Sequence, residues 1–224
     1  MRGVDLTSAT VVQVTSLPDE APPRRLLSDT TITDPPFVFV YDAEDDDMLR
    51  FKRGRVIVEP ALTRAWYELT DRCCKRNGLV VDVGANYGWF TLYSLALGCS
   101  VIAVEPVPAF AEILMTGVHL NEGFAKRLTL LRNVVYSRPG KYSVQVPINW
   151  DHRRTGPGWP HRKKMGMSSM RGEHGVVKGY AANWRNYYAN ASSVRLDDLI
   201  DRDVCMLKVH HTLLVSALDR AFWC

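Results

Sequence analysis

The sequence has no run of 18 apolar residues, the length that a membrane-spanning helix requires, so we expect no membrane span. It also lacks the basic and then apolar segments of a secretory signal, and Asp5, Asp19 and Glu20 argue against a transit peptide. The cytoplasm is therefore the default expectation for a compartment that the sequence does not otherwise identify.

Cysteine is scarce, and its spacing indicates neither a disulfide framework nor a zinc site. The count is odd, two of the residues are adjacent, and no CxxC motif is present. Histidine shows no metal-binding spacing either. We therefore expect no disulfide network, no metal and a reducing compartment. The cysteines are Cys73, Cys74, Cys99, Cys205 and Cys224.

No strong excess of charge marks the chain as a whole. Its 224 residues suit one domain, and 46% hydrophobic with 23% charged residues is typical of a globular protein. The net charge of +4 comes from one segment, since residues 151–178 hold seven Lys and Arg against two acidic residues. This distribution argues against a nucleic-acid partner. The wider segment 149–191 is either a lid over a sugar or anionic acceptor or a solvated, partly disordered insertion. Its aromatic residues are Trp150, Trp159, Tyr180, Trp184, Tyr187 and Tyr188.

The N-terminal third divides into a leader and a helix. Residues 1–36 carry five prolines without periodicity, which predicts a disordered leader. A strand is expected at 37–41, a solvated acidic turn at 44–47 and a return strand at 48–51. A helix should start at Pro60 and end at Asn77-Gly78, with an apolar stripe formed by Leu62, Trp66, Leu69 and Cys73.

The middle of the chain alternates strands and helices. Continuous apolar runs predict strands at 79–83, 101–104 and 128–135, and helices are expected at 89–97 and 109–120. This order indicates an α/β fold with a doubly wound, Rossmann-like sheet. A strand at 142–148, a loop-like insertion at 149–191 and ordered structure at 194–200 and 204–209 follow. One domain at 37–209 and a divergent tail at 210–224 are therefore predicted.

The motif Asp82-x-Gly84-x-Asn86-x-Gly88 lies between a strand and a helix, and Glu105 ends the next strand. Gly84 and Gly88 would let the backbone turn close to a ligand, and the helix start would offer N–H groups to a carboxylate. Glu105 sits where an acidic group accepts hydrogen bonds from ribose hydroxyls. A nucleotide-like ligand is therefore predicted at this edge.

The spacing of the loop favours S-adenosylmethionine over a dinucleotide. The NAD motif GxGxxG places its outer glycines five apart, whereas Gly84 and Gly88 are four apart with Asn86 between them. A carboxylate at Asp82 would repel a pyrophosphate but suits the ammonium and sulfonium of S-adenosylmethionine. An NAD-dependent oxidoreductase remains the alternative. Asn133, at the end of the third strand, is a candidate for the adenine end, although asparagine is also common at strand ends.

Two motifs resemble the FkbM family of methyltransferases. They are Val81-Asp82-Val83-Gly84-Ala85-Asn86-Tyr87-Gly88-Trp89-Phe90 with Val101-Ile102-Ala103-Val104-Glu105-Pro106, and Ser193-Val194-Arg195-Leu196-Asp197-Asp198-Leu199-Ile200 before Val204-Cys205-Met206-Leu207-Lys208-Val209. The resemblance covers about residues 60–209. It implies a class I methyltransferase fold, an S-adenosylmethionine cofactor held partly by Ala85, and O-methylation of a sugar or another small hydroxylated acceptor.

The chain departs from the family after Lys208-Val209. The family continues with Asp-Val-Glu-Gly, whereas this sequence has His210, His211, Thr212 and Leu213 and stops at Cys224. We therefore expect a sheet that is incomplete at its C-terminal end. Lys208 is the one candidate catalytic residue, and a surface role for the two histidines is favoured. A truncated domain that binds a ligand without transferring a methyl group is a further alternative.

Overall fold

The computed structural model describes residues 26–43, 45, 48, 56–150, 163–164, 169–172, 175–176 and 185–209. It begins with an antiparallel pair of strands, β1 (Leu26–Thr30) and β2 (Val38–Asp42). Thr31 and Phe37 close this hairpin, since each donates its backbone N–H to the other residue. The prediction of a leader reaching residue 36 is therefore wrong from residue 26 on, because Pro35 and Pro36 belong to the hairpin connection. The predicted return strand at 48–51 lies mostly outside the described residues.

A four-stranded parallel sheet organises the rest of the fold. It consists of β3 (Leu79–Val83), β4 (Ser100–Val104), β5 (Leu128–Leu131) and β12 (Val204–Val209), in the order β12-β3-β4-β5. Every residue of β3 is buried. A parallel strand that is covered on both faces needs such a continuous apolar run, which is why the pattern predicted it correctly.

Helices pack on both faces of this sheet, which makes the protein a mixed α/β fold. Three helices, α1 (Pro60–Cys74), α2 (Trp89–Ala96) and α3 (Pro108–Leu120), share one apolar cluster with Val80 of β3. A short helix, α4 (Leu196–Leu199), packs with Val81 and Val83 on the opposite face. Seven consecutive residues of α2, from Trp89 to Leu95, are buried. The predicted order of helices and strands is confirmed, and the predicted bounds of β3, β4, α2 and α3 agree to within a residue or two. Helix α1 ends at Cys74, three residues before Asn77.

The buried face of α1 differs from the prediction. Trp66 is buried as expected, but Leu62 and Leu69 are 47% and 66% exposed. Thr63 and Thr70 face inward instead, because their hydroxyls find acceptors locally: Thr63 donates to Val58 O at 2.6 Å and Thr70 donates to Trp66 O at 2.7 Å. An apolar periodicity alone therefore misplaced the stripe by about one position.

A second sheet follows in the chain. Its strands are β6 (Val134–Val135), β7 (Lys141–Trp150), β8 (Lys163–Lys164), β9 (Ser169–Gly172), β10 (Gly175–Val176) and β11 (Arg185–Val194), in the order β10-β9-β7-β11-β6 with β8 beside β7. The single strand predicted at 128–135 is thus split between two sheets. The loop predicted at 149–191 is wrong where β8 to β11 lie. The side chains of the basic and aromatic segment lie outside the described residues, so the lid stays a hypothesis.

Two disulfides join α1 to the parallel sheet. Cys73 is bonded to Cys205 of β12, and Cys74 is bonded to Cys99 just before β4, with Cα atoms 6.1 Å and 4.1 Å apart. The expectation of no disulfide network is therefore wrong, because neighbouring cysteines on one helix end reach different strands. Cysteine spacing consequently gives no argument for a reducing compartment. Among the described residues, no helix is long and apolar enough to cross a membrane.

The inward face of α1 can be tested by comparing Trp66→Ala with Leu69→Ala. Trp66 is 5% exposed and donates to Ser94 Oγ at 3.0 Å, so its truncation should lower the free energy of unfolding by about 3–5 kcal/mol. Leu69 lies mostly in solvent, so its truncation should change that value by less than about 0.5 kcal/mol. Urea unfolding of the two variants checks this, and equal losses would contradict the assigned face.

Candidate functional site

Three polar side chains lie at the carboxyl edge of neighbouring strands. Asp82 is in β3, Glu105 directly follows β4, and Asn133 comes two residues after β5. The register pairs Asp82 with Ala103, and Glu105 is two residues beyond Ala103, so both carboxylates belong to the same face of the sheet. The arrangement that the sequence predicted for residues 82 and 105 is thus present.

Asp82 is fully buried, and both of its carboxylate oxygens are engaged. Oδ1 accepts from Lys208 Nζ at 2.6 Å, and Oδ2 accepts from Thr91 Oγ1 at 2.7 Å. Lys208 also donates to Gly84 O at 3.1 Å, and its Nζ lies 5.6 Å from the centre of the Phe90 ring. The predicted contact between Asp82 and the ammonium of a ligand is not supported, because Lys208 already provides the positive partner. Asp82 and Lys208 instead hold the start of the glycine loop, which is residues 84–88 between β3 and α2.

Three backbone N–H groups of the glycine loop donate hydrogen bonds within the protein. Gly84 N and Ala85 N both point to Val104 O, at 2.8 Å and 3.2 Å, and Gly88 N donates to Ala85 O at 2.9 Å. The loop N–H groups are thus used within the protein, and the expectation that the N–H groups at the helix start bind a ligand stays a prediction. Gly88 has a φ of 86°, and a Cβ there would overlap Leu114 of α3. Its glycine thus serves helix packing rather than ligand approach.

Glu105 is a buried acid of the site with a raised pKa. Its side chain is 4% exposed, and its two oxygens accept from Asn86 N at 2.7 Å and from Val107 N at 2.9 Å. Burial raises the pKa of Glu105 from 4.5 to about 7, against the lowering effects of those two backbone hydrogen bonds and of nearby Lys208. Each oxygen keeps a further lone pair, which is an acceptor for a hydroxyl donor.

Two amide oxygens that follow strands at this edge, Asn86 Oδ1 after β3 and Asn133 Oδ1 after β5, are buried without a hydrogen-bond partner within the described part of the chain. Asn133 is 1% exposed, and its Nδ2 is used to bind Ser192 O at 3.1 Å. An unmet buried acceptor costs about 1–3 kcal/mol. The edge is therefore rich in acceptors that a donor-bearing ligand would satisfy.

No local pattern indicates the partner of Tyr87, which lies in the glycine loop. Its hydroxyl donates to Asp45 Oδ2 at 3.0 Å, and its ring meets Phe110 edge-on with the centroids 5.3 Å apart. Asp45 belongs to the acidic run that was predicted to be solvated, yet it is 3% exposed. That prediction is wrong for Asp45, because its carboxylate lies against the hydroxyl of Tyr87. Lys208 was predicted as a candidate catalytic residue. Its pairing with Asp82 spans 126 residues, so no local pattern in the sequence indicates it.

A small cavity lies elsewhere, between the end of β6 and the start of α4. Its volume is about 50 Å³, which suits one or two water molecules and not a nucleoside. The lining residues are Val135, Tyr136, Ser137, Arg195, Leu196 and Asp197. The acceptor-rich strand ends therefore remain the candidate site. Among the described residues, no group of His, Cys, Asp and Glu could hold a metal ion.

Comparison with protein-family models finds no match for this chain, and no curated protein matches it either. The resemblance to the FkbM family therefore rests on the two motifs quoted above. His210 and His211 lie outside the described residues.

Replacing Lys208 by methionine should leave a buried carboxylate without its positive partner. Because Asp82 is fully buried, we expect the free energy of unfolding to fall by about 3–5 kcal/mol. Urea unfolding measures the loss. Arg195→Met is the matched control, since the Arg195–Asp197 pair is exposed and should contribute less than about 1 kcal/mol. The double variant Asp82→Asn/Lys208→Met should recover part of the stability. Equal losses from the two single variants would contradict a buried ion pair.

The raised pKa of Glu105 makes stability depend on pH. Between pH 4.5 and about 7 the unfolded chain releases this proton while the folded chain keeps it, so stability should fall as the pH rises. From pH 5 to pH 8 this group should lower the free energy of unfolding by about 2–3 kcal/mol. Glu105→Gln should remove that part of the pH dependence. Urea titrations of both proteins at the two pH values test this, and identical pH slopes would refute it.

Proposed function

We propose that the chain is an S-adenosylmethionine-dependent methyltransferase of the class I, Rossmann-like type, acting on a hydroxyl of a sugar or another small acceptor. The observation that carries the proposal is the acceptor-rich edge, where the buried Glu105 carboxylate and the unpaired oxygens of Asn86 and Asn133 follow three neighbouring parallel strands. Ribose hydroxyls, an adenine amino group and an ammonium are all donors, and S-adenosylmethionine carries all three.

The strand order supports this position for the ligand. From β3 the chain moves outward to β4 and β5, and later returns to add β12 on the other side of β3. In open α/β sheets, ligands bind at the carboxyl edge where the strand order reverses in this way. Asp82 and Lys208 join β3 and β12 at that point.

Each site residue has a distinct role in the proposal. Glu105 accepts hydrogen bonds from the ribose hydroxyls, and Asn133 faces the adenine amino group. Asn86 accepts a donor from the methionine end, while Asp82 and Lys208 hold the Gly84–Ala85 turn in place. The bound cofactor supplies an electrophilic methyl group on a sulfonium. Alignment of donor and acceptor can contribute about 7–11 kcal/mol to such a displacement.

The same geometry argues against a dinucleotide. A pyrophosphate needs hydrogen-bond donors, as supplied by free backbone N–H groups of a glycine loop. Here the N–H groups of Gly84, Ala85 and Gly88 are bonded within the protein, and that of Asn86 is bonded to Glu105. An NAD-linked oxidoreductase is therefore disfavoured by the contacts as well as by the spacing.

A second candidate function is a domain that binds the cofactor but transfers nothing. Lys208 favours it, because its ammonium is occupied by Asp82 and Gly84 O and so does not serve as a base for an acceptor hydroxyl. Incubation with a methyl-labelled donor and a panel of hydroxylated acceptors separates the two functions. Label transfer supports the enzyme, whereas cofactor binding without transfer supports the binding domain.

Calorimetric titration with S-adenosylmethionine tests the site itself. At pH 8, where most of Glu105 is ionised, Glu105→Ala should weaken binding by about 2–3 kcal/mol, because hydrogen bonds to a charged acceptor are lost. Glu122→Ala is the control, since this exposed glutamate follows α3 at the opposite edge of the sheet. Circular dichroism must show that both variants are folded. Unchanged affinity in Glu105→Ala, or tighter binding of NAD than of S-adenosylmethionine, would overturn the proposal.

A further inference from the structure

The two disulfides differ in burial although their cysteines are adjacent in α1. Cys74 is 1% exposed and its partner Cys99 is fully buried. Cys73 and Cys205 are both partly exposed. A reductant must approach a sulfur atom along the S–S axis, so the partly exposed bridge is the more accessible of the two. The end of α1 thus carries a buried disulfide beside a partly exposed one.

Cys205 occupies a special position in β12. The register between β12 and β3 shifts between Val204 and Met206, so Cys205 is the extra residue of a β-bulge. A bulge turns its extra residue out of the regular ladder, and here it meets the end of α1. Gly78 leaves room for this contact, because a Cβ there would overlap the sulfur atoms of both Cys73 and Cys205. The bulge and the glycine together build the place for this bridge.

The strand β12 also contacts the glycine loop through a side chain. Lys208 lies three residues after Cys205, and its Nζ binds both Asp82 Oδ1 and Gly84 O. Among the described strands of the parallel sheet, β12 pairs with β3 alone. Two side-chain interactions therefore add to the backbone hydrogen bonds that hold β12 in place. These are the Cys73–Cys205 bridge and the Lys208–Asp82 ion pair.

We propose that Cys73–Cys205 is a thiol–disulfide exchange site for dithiol reductants, and that its opening loosens β12 and the glycine loop held by Lys208. A thiolate of the dithiol attacks one sulfur and breaks the Cys73–Cys205 bond, giving a mixed disulfide. The second thiol then displaces the remaining protein sulfur. The protein gains two electrons and two protons as two thiols, and the dithiol becomes a cyclic disulfide. This inference holds whether or not the chain binds S-adenosylmethionine.

Thiol mapping of the full chain tests the site directly. The oxidised protein is treated with increasing dithiothreitol, alkylated, and analysed by peptide mass spectrometry. We expect alkylation of Cys73 and Cys205 at concentrations that leave Cys74 and Cys99 unlabelled until the chain is denatured. Earlier labelling of Cys74 and Cys99, or alkylation of Cys73 and Cys205 without any reductant, would overturn the proposal. This measurement requires no variant.

Hydrogen exchange tests the consequence for the strand. Reduction should speed amide exchange in residues 204–209 and 84–86 by about tenfold or more, because local opening becomes easier. In a C224S background, C73S/C205S should exchange fast with or without dithiothreitol. C74S/C99S is the matched control and should keep the response to mild reduction. Unchanged exchange in both segments after Cys73 and Cys205 are reduced would refute the link to the glycine loop.

Discussion

The ion pair between Asp82 and Lys208 is the interaction on which the candidate site depends. Asp82 is buried in the central strand, where an isolated carboxylate would be far too costly to keep ionised. Lys208 supplies the compensating charge from a strand that the chain adds 126 residues later. The pair therefore joins β3 and β12, the first and the last described strands of the parallel sheet in chain order. Lys208 also binds Gly84 O and so holds the turn between β3 and α2.

The order of the elements was predictable from the sequence because it depends on local patterns. The apolar runs of β3 and β4 and the glycines at positions 84 and 88 marked strand, turn and helix correctly. These residues needed no knowledge of the rest of the chain, since a strand covered on both faces must be apolar throughout. The positions of Asp82 and Glu105 at one edge followed from the same parallel order.

Features that depend on distant residues were not predictable. The sequence suggested that Asp82 faces a ligand, because nothing nearby in the chain indicated that Lys208 neutralises it. Cysteine spacing likewise suggested free thiols, whereas α1 brings Cys73 beside Cys205 across 132 residues. The threonines of α1 were overlooked because a hydroxyl that bonds to its own helix can be buried as readily as a leucine.

Helix α2 has no solvent-facing side along Trp89 to Leu95, and Gly88 at its start packs against Leu114. A helix enclosed in this way cannot accept a charged or bulkier side chain at any of those seven positions without disturbing a neighbour. During evolution its sequence should therefore drift far more slowly than that of α1, whose outer face is free to vary. A search for distant relatives would accordingly do best with the segment from β3 through α2 as its query.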